Sequence, residues 1–395
     1  MRILFIHNKY QQPGGEDTAV ELETNLLREN GHDVKLMLFQ NRQPSGFVDR
    51  LMLGAKAVYN FSSKRKLKKE IETFKPDLIH VHNLFFEASP SILYAASSLK
   101  IPILLTLHNY RLICANALLL RNGKPCELCV KKTFPLSGIR YRCYRNSMAE
   151  SAMVTTITSS HKLLGTWQHK INRFIVLTEF AQSILADSSL RVEKNKLFVK
   201  PNFLPDPGAG SLQREDFFLF VGRLSAEKGI NTLLEAFSAT AHRLVIIGDG
   251  PERQSIEARF LDNNRIICKG WLQKDEVISN MKRCKALIFP SVWYEGLPFV
   301  LIEAFATGTP VITSKLGAMT ELVTDGWNGF HFEVANSHDL HTKIELFLQL
   351  DEKERGQLYE NARATYLNKY HPQIHYQTIL PLYEHVIGEK SVQDV

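Results

Sequence analysis

The sequence predicts an α/β protein built from two doubly wound parallel-sheet domains, and three observations carry that expectation. The chain has 395 residues, more than double a common domain size. Short apolar runs alternate with longer segments of helical period, which is the rhythm of βαβ units. That rhythm runs twice, and the two series are parted by PNFLPDPGAGSLQ, whose Pro, Gly and polar residues interrupt it.

Taken in order, ILFIH, VKLMLF, DLIHVH and IPILLTLH mark the strands of the first half. Between the first two, Ala19, Val20, Leu22, Leu26 and Leu27 recur at helical spacing and stop at Gly31. RFIVLT and KLFVKPN continue the series to a boundary expected between residues 205 and 206. The second series is FFLFVGRL, HRLVIIGDG, RIICKG, ALIFP and PVITS. Beyond Asp351 the pattern is helical, and HPQIHYQTILPLYEHVIG carries enough Ile, Leu and Tyr to pack against a neighbour. Ligands of doubly wound sheets bind outside the carboxyl ends of the strands, so two facing sheets place the active site in a cleft between the lobes.

Composition excludes several classes. With 44% hydrophobic and 23% charged residues the chain is neither disordered nor fibrous. The most apolar region, residues 286–313, is broken by Pro290, Glu295, Pro298, Glu303 and Pro310, so it is no membrane span. MRILFIHNKY has two basic residues, Arg2 and Lys9, and too short an apolar run for a secretory leader, and a cytoplasmic protein is expected. A net charge of +7 suits a polyanionic ligand or a membrane surface without demanding either.

The most informative segment is FPSVWYEGLPFVLIEAFATGTPVITS, in which Glu295 and Glu303 bracket seven residues across a loop-to-helix transition. Pro298 suits the first turn of a helix, where its missing N–H is no loss. The amides around Gly296, Leu297, Phe299 and Val300 then form an anion site, with Glu295 near the anion's far end and Glu303 within reach of hydroxyls on the other side. In FLFVGRLSAEKGI, Gly222 permits close approach, Arg223 forks onto two phosphate oxygens and Lys228 adds a point charge, a set that neutralises a departing diphosphate. IIGDGPER has Gly248 and Gly250, but Arg253 stands where a dinucleotide fingerprint needs a third glycine, which argues against a nicotinamide enzyme while leaving the turn available to a nucleotide. In the first half, Gly14 and Gly15 of HNKYQQPGGED free the backbone to approach a phosphate or sugar. His108 ends a strand, where it hydrogen-bonds a substrate hydroxyl or carries charge, ahead of His7, His80 and His82 as a candidate.

These residues resemble family four of the glycosyltransferases over nearly the whole length. The resemblance rests on Glu295-x7-Glu303 within GLPFVLIEAFATGTPVI, on VGRLSAEKGI with Arg223 and Lys228, and on the loop at Gly14 and Gly15. It implies the GT-B fold: two facing Rossmann-like domains, residues 1–205 binding acceptor and 206–370 binding a nucleotide-sugar donor, with a terminal helix of about 371–395 crossing back to the first. It further implies retaining transfer, with Arg223 and Lys228 on the donor diphosphate, Glu303 on the ribose, Glu295 at the transferred sugar and His108 near its hydroxyls. No far-face carboxylate for a double displacement is identifiable, so front-face attack is expected. No Asp-x-Asp occurs, so fixed protein cations replace a divalent metal and no cofactor is required. The acceptor expected is a glycan or lipid-linked glycan of cell-surface polysaccharide synthesis.

Two features lie outside that scheme. Cys114, Cys126, Cys129 and Cys143 fall within thirty residues, and Cys126-x-x-Cys129 is a spacing tetrahedral zinc accepts, so a structural zinc and buried thiols are the two readings. The basic run Lys64–Lys69, with Phe47, Val48, Leu51, Met52 and Leu53 before it, and the group Lys131, Lys132, Arg140, Arg142 and Arg145 are suited to the inner face of the plasma membrane. The rival enzymes are a sugar phosphorylase, which needs inorganic phosphate and releases no nucleotide, and a nucleotide-sugar epimerase of the same fold. A nucleic-acid-binding protein is the rival from another class, and the chain carries no recognised motif for it.

Overall fold

The computed structural model describes residues 1–9, 14–41, 45–238, 240–260 and 263–393; residues 10–13 of the first glycine loop, and the side chains at 47–51, lie outside the described residues. The chain forms two units, one of Met1–Leu119, Cys126–Asn202 and His375–Val395, the other of Leu120–Pro125 and Phe203–Ile374.

In the first unit the apolar runs become β1 (Arg2–Lys9), β2 (Asp33–Gln40), β3 (Leu78–Val81) and β4 (Ile103–Leu107). A short hairpin, β5 (Leu120–Arg121) and β6 (Lys124–Pro125), precedes β7 (Arg173–Val176) and β8 (Leu197–Val199). The sheet order is β2-β1-β3-β4-β7-β8 and every pairing is parallel, β1 lying in register with Asp33 at Arg2 and with Leu78 at Ile3. The final helix, Pro372–Gln393, presents Ile379, Leu382, Tyr383 and Val386, one face at i, i+3, i+4 and i+7, to Ile3, Phe5, Leu78, Leu104 and Ile175. Burial of each such side chain contributes about 1.5–3 kcal/mol, so this face is what holds the helix on the sheet.

The second unit runs β9 (Phe218–Val221), β10 (Leu244–Ile247), β11 (Ile266–Gly270), β12 (Leu287–Phe289), β13 (Val311–Ser314) and β14 (Gly329–Phe332), in the order β11-β10-β9-β12-β13-β14. Phe218 and Phe220 of β9, Leu244 and Ile246 of β10 and Ile288 of β12 pack with Leu233, Phe237 and Phe347 in its core. In each sheet the first strand of the unit lies between neighbours to which the chain winds in opposite directions. That reversal opens a crevice at the carboxyl ends of β1 and β3 in one unit, and of β9 and its partners β10 and β12 in the other. Among the described residues no helix is long and apolar enough to cross a membrane.

Candidate active site

In the second unit the loops after β9, β10 and β12 interlock through their backbones. The Gly222 amide donates to the Ile247 carbonyl at 3.0 Å and the Leu224 amide to the Asp249 carbonyl at 2.9 Å. Gly248 sits at φ +146, where a Cβ would lie 1.8 Å from the Gly222 carbonyl oxygen, so only glycine allows the turn to back the 222–224 strap. Ala226–Lys228 form a single 3-10 turn ended by Gly229 at φ +73, whose missing side chain leaves room for the Pro290 carbonyl, 1.8 Å from where a Cβ would be. The Val292 amide donates to the Glu227 carbonyl at 3.0 Å. Residues 225–229 and 290–295 are therefore one unit of structure.

This junction brings Lys228 and Glu295 together. Lys228 Nζ lies 2.7 Å from Glu295 Oε1, and Ser291 Oγ donates to the same oxygen at 2.7 Å. The ammonium also sits over the Trp293 ring, 5.4 Å from its centroid. Trp293 Nε1 is buried without an acceptor among the described residues, an unspent donor beside the pair. Arg223 is exposed just past β9 and forms no ion pair with the described residues. Lone Lys228 and Arg223 were legible in the sequence; the Lys228–Glu295 pairing, Ser291 and Trp293 were not.

The sequence reading of Pro298 needs a correction. It is not in the first turn: with φ −67 and ψ 129 it is the N-cap of the helix Phe299–Ala306, and its carbonyl accepts the Leu301 amide at 3.1 Å. The extended ψ keeps it outside the helix and shifts the opening amides to Phe299 and Val300. Gly296 and Leu297 belong to the loop before it. Glu303 lies more than a turn inside the helix, and burial pushes its carboxyl up against the opposing charge of Lys274.

In the first unit, Gly14 is the N-cap of the helix Gly15–Glu29, and its amide donates to Asp17 Oδ2 at 2.9 Å. The other Asp17 oxygen meets His7 Nε2 at 2.9 Å, which ties the end of β1 to the start of that helix. Gly14 has an extended backbone and open space where a Cβ would stand, so no steric demand for glycine exists there. His80 is structural: Nδ1 pairs with Tyr383 Oη and Nε2 with Thr106 Oγ1, each at 2.7 Å. Behind it Glu23 is buried with Lys200 at 2.7 Å, and Lys200 meets His375 Nε2 at 3.1 Å. Burial works against the Glu23 charge, yet Lys200, His80 and His375 hold its carboxyl well below the usual range.

His108 faces a small open pocket lined also by Glu16, His82, Asn83, Asn109 and Arg111. Its Nε2 lies 2.9 Å from His82 Nδ1, with the two rings stacked at 5.2 Å. Burial, followed by the charge of Lys200, pushes the His108 imidazole down to about 3. It is neutral at physiological pH, and the option that it carries charge is withdrawn. His82 Nε2 is buried without a partner. A stranded lone pair costs less than a stranded N–H, so His82 donates from Nδ1. His108 then accepts at Nε2 and keeps an Nδ1–H donor. Glu16 and Arg111 join this wall; only the place of Glu16 beside Gly15 signalled it.

Two doubly wound parallel sheets of these strand orders define a protein of GT-B fold. Residues 207–365 match the family model of the glycosyl transferases group 1, and residues 13–204 match that of Glycosyltransferase Family 4. Between them the models take in nearly the whole chain, which belongs to these glycosyltransferases. An uncharacterized glycosyltransferase of Methanocaldococcus jannaschii is 29% identical over 298 residues, 75% of this chain and 72% of that protein. A lipopolysaccharide 1,2-N-acetylglucosaminetransferase of Salmonella typhimurium is 30% identical over 167 residues, 38% of this chain and 44% of that protein. The crystal structure of Anabaena HepE in complex with UDP shares the fold at a TM-score of 0.68 and 17% identity, over 98% of this chain and 100% of that one.

Proposed function

We propose that this glycosyltransferase moves a hexose from a UDP- or GDP-sugar to a glycan or lipid-linked acceptor of cell-surface polysaccharide synthesis, with retention of configuration. The observation that carries the reading is the joined 225–229 and 290–295 loops, which hold Lys228 on Glu295 beside the open guanidinium of Arg223. A diphosphate entering there shares Lys228 with Glu295 and takes Arg223 bidentately. Charge-assisted bonds of this kind contribute about 1.5–3 kcal/mol each, and they strengthen as charge develops on the departing oxygen. Glu303, its carboxyl raised by burial, accepts ribose hydroxyls. The amides of Phe299 and Val300 face the anion.

The transfer step runs on one face of the sugar. The acceptor oxygen forms its bond to the anomeric carbon on the side from which the diphosphate oxygen departs, and the acceptor proton passes to that leaving oxygen. His108, neutral and donating from Nδ1, orients a sugar hydroxyl. Arg223 and Lys228 supply the counter-charge to the diphosphate, and no metal ion enters the step. UDP bound to HepE and the lipopolysaccharide acceptor named for the Salmonella relative support the substrate classes.

The helix Phe61–Phe74 exposes Arg65, Lys66 and Lys69, and Phe61 is 73% exposed at its start. A cation near an anionic leaflet gains about 1 kcal/mol, so this helix suits peripheral attachment to the cytoplasmic face, where lipid-linked acceptors are presented. Incubation with a panel of labelled nucleotide sugars and lipid-linked glycans, scored for product anomer and released nucleotide, tests the reading. Release of a nucleoside diphosphate with a retained anomer is expected; a sugar phosphate formed from inorganic phosphate, or an inverted product, overturns it.

A further inference from the structure

The loop that carries Ser291 to Glu295 joins β12 to the helix Phe299–Ala306 and has no regular structure of its own, yet Glu295 is only 5% exposed. A buried carboxylate on an irregular segment keeps one orientation only if a fixed donor holds it. Ser291, itself buried, is that donor. Its hydroxyl donates to Glu295 Oε1 at 2.7 Å, and the alternative acceptor, the Glu227 carbonyl, is the longer contact at 3.3 Å. The serine is fixed in turn through its backbone. Ser314 Oγ of β13 donates to the Ser291 carbonyl, and the amide of the next residue, Val292, donates to the Glu227 carbonyl at 3.0 Å. A serine side chain has one heavy-atom torsion, so little freedom remains between the sheet and the carboxylate.

Lys228 shares the oxygen that Ser291 holds, with Nζ 2.7 Å from Oε1. Oε2 meets no donor among the described residues, and it is not enclosed. The carboxylate thus has one satisfied oxygen and one open acceptor. Of the three groups the lysine is the movable one. Its side chain is 21% exposed against 6% for Glu295, and a flexible four-carbon stem lets its compact charge turn toward a second anion. The Phe289 and Trp293 rings lie near the ammonium, and no carboxylate other than Glu295 pairs with it among the described residues. Once Lys228 is drawn to a diphosphate, only the Ser291 hydroxyl still sets which way the Glu295 oxygens point.

We propose that Ser291 is a positioning residue for the transfer: it keeps Glu295 oriented as Lys228 turns to the diphosphate, so that Oε2 accepts a hydroxyl of the sugar being transferred. This role rests on the donor site proposed above. The sugar is the group bonded to the diphosphate, and Glu295 lies one hydrogen-bond length from a cation that holds it, so the sugar's hydroxyls are the donors within reach. Without donor, the carboxylate neutralises Lys228; with donor, it exchanges that cation for a hydroxyl, and Ser291 keeps it in place through both. Ser291 touches no substrate in this scheme, and its whole effect passes through Glu295.

The test is calorimetry on the full-length chain with UDP and GDP alone and with the nucleotide sugar that the panel above shows to be turned over, set beside kcat for that donor. Ser291→Ala is expected to leave the affinity for the nucleoside diphosphate within about threefold of wild type, while the nucleotide sugar binds about five- to tenfold more weakly and kcat falls about tenfold. Ser291→Thr keeps the hydroxyl and is expected to hold all three within about threefold. In a Glu295→Gln background the added Ser291→Ala changes nucleotide-sugar affinity by less than about twofold, because the two residues act as one unit. Equal losses for diphosphate and nucleotide sugar mark a merely structural role and overturn the inference. So do an unchanged Ser291→Ala, a Ser291→Thr as impaired as Ser291→Ala, or an undiminished effect beside Glu295→Gln. A wild-type chain that binds neither UDP nor GDP, or turns over no nucleotide sugar of the panel, fails the donor reading itself before any variant is compared, and takes this role with it.

Discussion

The two candidate sites use buried charge differently. In the second unit the charges stand in the site itself: Lys228 is paired with Glu295, and Arg223 is open to solvent. In the first unit the Glu23–Lys200 pair is closed off with His80, His375 and Tyr383, and the pocket wall sets a neutral His108 imidazole beside Glu16 and Arg111. A diphosphate is held by cations, whereas a sugar hydroxyl needs an oriented uncharged partner that does not itself demand solvation. The difference teaches that a buried ion network and a binding site can occupy the same sheet without sharing roles.

The largest effect that would break this contrast concerns the buried pair. Lys200→Ala leaves the Glu23 carboxylate uncompensated and is expected to destabilise the first unit by about 3–5 kcal/mol, read as a shifted denaturant midpoint. A loss below about 1 kcal/mol would place Lys200 among ordinary surface-like cations. Next comes Lys228→Ala, expected to lower kcat/KM by about 10²–10³ through loss of leaving-group stabilisation, with a smaller stability change than Lys200→Ala. Near-normal turnover in steady-state assays would remove Lys228 from the diphosphate site.

Acid sharpens the comparison further. His108 and His375 are held at about 3 and about 4 in the folded unit against 6.5 when unfolded, so the unfolded chain takes up protons first as pH falls. Their contribution is complete above pH 6.5 and is lost as pH falls toward those folded values; the contribution of Glu23, its carboxyl also depressed, is lost as pH falls below the ordinary carboxylate value of 4.5. Glu303 has the opposite sign: its raised carboxyl contributes at low pH and fades as pH rises through its folded value. Urea melts between pH 7 and pH 4, followed by probes in each unit, are expected to show about the steeper decline in the first. The smallest effect belongs to His108→Ala. Loss of one neutral hydrogen bond of about 0.5–1.5 kcal/mol lowers kcat/KM roughly two- to tenfold, and a hundredfold loss would assign it a charged or proton-transferring role.

What the sequence made legible follows from locality. Eleven apolar runs read as strands do form the sheets, because a buried parallel strand announces itself by consecutive Val, Ile, Leu and Phe. β14 went unread, since Gly329 and His331 dilute its four residues and it takes its place only by pairing with β13. Arg223, Lys228, Glu295 and Glu303 were visible through residue type and placement near strand ends. The partnership of Glu23 with Lys200 and His375 was not, because the contacts join residues more than a hundred positions apart. The neutrality of His108 was equally hidden: it depends on burial and on a neighbour from another strand. Pro298 missed by a single position, the usual margin at a helix end.

The helix that begins at Pro372 carries a consequence for how the molecule is made. His375 and Tyr383 complete the hydrogen bonds of Lys200, Glu23 and His80, yet they follow the whole of the second unit in the chain. The first sheet therefore keeps an ionic interior only half enclosed during synthesis until residues 203–374 have been made and its closing helix follows. A nascent chain halted before Tyr383 would display that interior to chaperones and proteases, and the helix Pro372–Gln393 acts as its quality seal.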